Sequence, residues 1–68
     1  MDYSLAAHST DGKRTESINI YAENSLDATI QAISFILDES MHNDLWAKGR
    51  IVLLSPEGNT IQTVEPKE

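Results

Sequence analysis

The residues of this 68-residue chain best able to do chemistry are two histidines and a series of carboxylates. Asp38 and His42 stand four apart, a spacing that puts two side chains on one helix face, and Asp44 follows closely. A carboxylate and an imidazole so placed could ligate a metal, but closing a site takes three or four ligands. The alternative is a solvated polar face with a local carboxylate–imidazole contact. The chain has no cysteine, hence no thiolate nucleophile, no disulfide and no Cys cluster for zinc. Serine, histidine and aspartate all occur, but no nucleophile-elbow pattern presents them. The three glycines, Gly12, Gly49 and Gly58, fall at turns or a helix end, so no Gly-rich phosphate loop exists. The expectation is a chain with no catalytic residues, no metal and no cofactor.

Charge gives a second line of inference. The net charge is −6, and six acids lie from Glu16 to Asp44: Glu16, Glu23, Asp27, Asp38, Glu39 and Asp44. No Lys or Arg occurs between Arg14 and Lys48. Such a stretch either keeps a small domain soluble or aims an acidic face at a basic partner. Direct nucleic-acid binding is disfavoured, because phosphate contacts need a basic patch.

These residues must be positioned by a small fold. A chain this short makes one domain and buries only about 60% of its unfolded surface. The longest apolar run, Ile51–Leu54, is too short to span a bilayer, and the start lacks the pattern of a signal peptide. The expected chain is cytoplasmic and complete from its own start methionine.

Asp11-Gly12 is a type I′ turn dipeptide, and setting Thr10 opposite Lys13 pairs Leu5 with Ile18 and Tyr3 with Ile20. A first hairpin with one apolar face is therefore predicted from about Tyr3 to Tyr21. A helix follows, with Asn24 or Ser25 as N-cap and Asp27 in its first turn. Leu26, Ile30, Ile33 and Leu37 recur at helical spacing within about 60° of one another, with Ile36 and Met41 widening the stripe. That stripe is expected to pack on the sheet. The helix is expected to end between Met41 and Ala47, with an irregular turn at His42-Asn43-Asp44 and Gly49 as the stop. A second hairpin runs Arg50–Leu54, turns at Ser55–Asn59 and returns as Thr60–Val64, with Leu54 opposite Ile61 and Ile51 opposite Val64. The tail from Glu65 to Glu68 reads as frayed.

The sum is a two-layer α+β domain, β-β-α-β-β, with one helix on a four-stranded sheet. If the third strand lies beside the first, the two run parallel in the order 2-1-3-4 with a right-handed crossover. An all-antiparallel sheet is the alternative.

With the stripe turned inward, Phe35 falls on the outer face of the helix beside Ala28, Ala32, Gln31, Glu39 and His42. A single exposed aromatic is ordinary, yet an aromatic inside a polar rim is also how binding surfaces are built. Trp46 is expected to cap the open end of the core, with its N–H meeting water or a carbonyl. Tyr3 is expected to face the helix, and His8 and Tyr21 the polar side of the first hairpin. The candidate partner-binding residues are Asp27, Gln31, Phe35, Asp38, Glu39, His42 and Asp44.

Two resemblances bear on this reading. The order Tyr3–His8, Asp11-Gly12, strand, then Asn24-Ser25-Leu26-Asp27-Ala28-Thr29 opening an amphipathic helix resembles the N-terminal half of HicB-type antitoxins over about 40 residues. The third strand that usually precedes that helix is absent here. As a whole, the chain is similar in size and charge to small phage-encoded inhibitors of the anti-CRISPR type. That likeness implies a compact inhibitor that blocks a basic, nucleic-acid-binding protein surface, and it carries no residue roles. The expected function is therefore a non-enzymatic protein-binding module with an acidic helix face. A self-associating, antitoxin-like regulatory domain is the alternative.

Overall fold

The computed structural model describes residues 1–66. Six elements follow one another: β1 (Asp2–His8), β2 (Thr15–Tyr21), α1 (Ser25–Glu39), α2 (Asp44–Lys48), β3 (Arg50–Leu54) and β4 (Thr60–Val64). The four strands form one sheet in the order β2-β1-β3-β4. The expected two-layer α+β architecture is present, with α1 as its one long helix.

Every neighbouring pair of strands is antiparallel, so β3 runs against β1 and not with it. The reason is the reach of α1. Fifteen helical residues rise about 22 Å, roughly the length of a seven-residue strand. One pass of α1 carries the chain from the end of β2 to the opposite end of the sheet. There α2 reverses it, and β3 enters with Arg50 beside His8.

The first hairpin has the expected register, with Tyr3 opposite Ile20 and Leu5 opposite Ile18. Its turn differs. Gly12 donates its N–H to the Ser9 carbonyl at 3.0 Å, and only Gly12, at φ 75°, has positive φ in this loop. Asp11 stays at negative φ and uses its carboxylate as an acceptor for the Ser9 hydroxyl and the Lys13 N–H. The side-chain bonds replace the second left-handed residue that a type I′ turn requires.

The second hairpin closes through Ser55, whose N–H donates to the Asn59 carbonyl at 2.8 Å, with Gly58 at φ 90°. Ile51 faces Val64 as expected, but Leu54 faces Thr60 rather than Ile61. The pairing shifts between Leu53 and Leu54, and the extra residue lets Ile61 pack against the core.

The core lies between the sheet and the helices. Tyr3, Leu5 and Ala7 from β1, Ile20 from β2, and Ile51 and Leu53 from β3 supply its sheet side. The helical side departs from expectation. The buried residues of α1 are Ala28 and Ala32, with Phe35 and Ile36 half-buried beside them. Leu26, Ile30, Ile33 and Leu37 are 52–70% exposed, and Met41 is 77% exposed. The helix thus sits almost the other way up from its bulky stripe. The sheet already fills the interior with Tyr3, Leu5, Ile20, Ile51 and Leu53, so small residues let α1 approach closely. The remaining volume is taken by α2, whose Leu45 and Trp46 are 3% and 2% exposed.

Candidate functional site

Asn24 caps α1, accepting the Asp27 N–H at 2.8 Å. The Asp27 carboxylate in turn accepts from the Glu23 N–H and the Gln31 amide, each at 3.3 Å. Gln31 also donates to the Tyr21 carbonyl at 3.0 Å, tying α1 to the end of β2. Asp27, Gln31 and Asp38 lie along one line of the helix, within about 40° of one another. These three of the seven candidates share a surface on the β2 side of α1.

The other four fall elsewhere. Phe35 does not face outward: its ring meets Trp46 edge-on, with centroids 5.0 Å apart and planes at 83°. Glu39 is half-exposed at the last turn of α1. His42 lies beyond the end of that helix, in the turn where its N–H donates to the Glu39 carbonyl, so it shares no helix face with Asp38. Asp44 is in the first turn of α2 and lines a shallow cleft of about 200 Å³ with Ser9, Asp11, Arg14 and Lys48. Among the described residues, no three His, Asp or Glu side chains converge as metal ligands. None of the described helices is long and apolar enough to cross a membrane.

Sequence reasoning missed the arrangement around Glu16. Its carboxylate accepts from the Trp46 indole N–H at 3.1 Å and from the Asn43 amide at 3.2 Å, with the Arg14 guanidinium at 3.5 Å. These bonds to the ionised form, the indole first, hold Glu16 below its ordinary 4.5. Trp46 therefore caps the core as expected, but its N–H meets a carboxylate. Asn43 also caps α2, accepting the Leu45 N–H at 3.0 Å. Asn43-Asp44 ahead of Leu45-Trp46 was the readable sign of a second helix.

The aliphatic stripe also went unrecognised as surface. Its inner edge opens into an apolar cleft of about 150 Å³ between α1 and β4, where Ile33 and Ile36 face Val64 and Gln62 over Leu53. That volume is about half the lower bound for small-molecule sites, and almost all of its lining is carbon. The stripe and its cleft leave a run of apolar side chains open to solvent on the outward side of α1. No family model, curated protein or solved structure matches this chain.

Proposed function

We propose that the protein is a non-enzymatic protein-binding module that works through the outward side of α1. The observation that carries this reading is the exposure of Leu26, Ile30, Ile33, Leu37 and Met41, each more than half open to solvent. Folding leaves such a surface in water at a cost, and contiguous apolar patches of this kind mark interaction sites. Beside it runs the acidic line of Asp27 and Asp38, with Gln31 between them. No basic residue interrupts α1. A partner with a basic protein surface complements that line, and the attraction speeds association. A small inhibitor of the type its size and charge resemble would act in this way, occupying a basic channel without chemistry of its own.

A photo-crosslinker at Asp38, compared with one at Thr63 on the opposite face of the sheet, tests the reading in the native host. Partner capture from position 38 alone, lost when Asp27→Lys is added, is the expected result. Equal capture from both positions, or capture indifferent to the charge reversal, would overturn it.

Self-association, the alternative reading, would use the same exposed stripe.

A further inference from the structure

We infer that the aliphatic stripe and the adjoining cleft seat the α1 helix of a second copy of this chain. The inference takes from the protein-binding reading only that the outward side of α1 is a contact surface. It asks nothing of the acidic line.

A four-stranded sheet is about 19 Å wide and a helix with side chains about 10 Å, so α1 covers roughly half of it, and the short α2 fills the core beside β1 with Leu45 and Trp46. Here α1 lies toward β2, with Gln31 bonded to the Tyr21 carbonyl at one flank. On the other flank, Val64 of β4 points to the helix side, opposite the buried Ile51, yet remains 49% exposed. The vacant place on the sheet is thus the strip along β4, walled by Ile33 and Ile36 and floored by the exposed Val64 and Gln62, beside Leu53, which is already buried.

The second step is the angular extent of the stripe. Taking Ala28 and Ala32 as the sheet side, Ile33 points toward the vacant place, and Ile30 and Leu37 point more nearly away from the sheet. A helix with only its own sheet to cover needs neither direction apolar. A helix that also lies beside an identical helix, under an identical sheet, needs both. Two copies related by a two-fold axis along α1 meet this requirement. Each α1 fills the other's vacant place, giving sheet, helix pair, sheet.

Charge and area agree. In this arrangement the helices run parallel, so positions along the seam meet their own copies. Thr29, Ile33, Ile36 and Ser40, which line that side, are all uncharged. Asp27 and Asp38 lie outside the seam. Leu26, Ile30, Ile33, Leu37, Met41 and Val64 together expose on the order of 600 Å², the upper end for the largest apolar patch of a monomer. One partner of a standard interface contributes about 800 Å², a size the patch approaches.

The test is mass in solution from about 1 µM to about 100 µM by sedimentation equilibrium. The wild-type chain is expected to reach twice the monomer mass. Ile30→Lys/Leu37→Lys is expected to remain monomeric, with unchanged circular dichroism and unchanged emission from Trp46. Thr63→Lys, on the other face of the sheet, is expected to dimerise as the wild type does. Because the chain has no cysteine, Ile33→Cys should oxidise to a covalent dimer and Ser34→Cys should not. A wild-type monomer at the highest concentration would overturn the inference, as would a dimer that survives the double lysine change. A monomer whose position 38 still captures a basic partner ends this inference and leaves the protein-binding reading standing. A dimer without such a partner does the reverse.

Discussion

Glu16 shows how one residue sets the behaviour of a small core. Its ionised carboxylate receives the indole N–H of buried Trp46 and the amide of Asn43, so it holds α2 against β2. Its folded-state pKa lies below 4.5 for that reason. A depressed pKa means the stabilisation is present above the ordinary value and is lost as the pH falls through the lower folded value. Asp11 behaves likewise below 3.8, through the Ser9 hydroxyl first and the Lys13 N–H next. The wild-type melting temperature should therefore fall as the pH drops from about 5 to about 3. Glu16→Gln should flatten part of that fall while lowering stability at neutral pH. Emission from Trp46, the single tryptophan, reports the change directly. Gly49 is a second sensitive position. A Cβ there would press on the Leu45 carbonyl oxygen and lie 2.6 Å from that of His8. Both obstacles are backbone, so Gly49→Ala should cost about 1–3 kcal/mol in urea unfolding.

At the scale of elements, the orientation of α1 makes the sharpest expectations. Ala32→Leu forces bulk between helix and sheet and should destabilise by about 1–3 kcal/mol. Leu37→Gln, on an exposed position, should stay within about 0.5 kcal/mol when measured at high dilution. The bulky periodicity of the sequence predicts the reverse order, so the two variants decide between the faces. Removing the α1 cap, Asn24→Ala, should cost about 1 kcal/mol. The first hairpin was legible because its turn residues and its alternation required the same register. Its turn type was not, because Asp11 substitutes side-chain hydrogen bonds for a left-handed backbone. The helix existed where the pattern put it, but α1 carries two apolar sectors, one small and one large. Periodicity favours the large one, and only the bulk already supplied by the sheet shows that the small one fits inside. Of the candidate site, the line Asp27–Gln31–Asp38 was readable from spacing alone. Phe35 was misplaced by the same inversion, and His42 and Asp44 because α1 stops at Glu39.

For the whole molecule, the layout sets where the structure is firm. β1 is bonded on both sides, and its inward residues Tyr3, Leu5 and Ala7 are 4%, 1% and 0% exposed. Hydrogen exchange should be slowest in β1 and fastest in β4, where most residues are exposed. If a partner docks on the acidic line, its association rate should fall steeply as salt rises, while self-association through the stripe should hold or strengthen. In the sheet, β1 pairs antiparallel with β3. Ser4 sits opposite Leu54, so β1 waits for a strand made about fifty residues later. During synthesis the β1–β2 hairpin and α1 leave the ribosome well before the strand that completes their core. The nascent chain therefore passes through a stage in which β1 has one unpaired edge and the core lacks Leu45, Trp46, Ile51 and Leu53, and it completes its fold only once β3 has emerged.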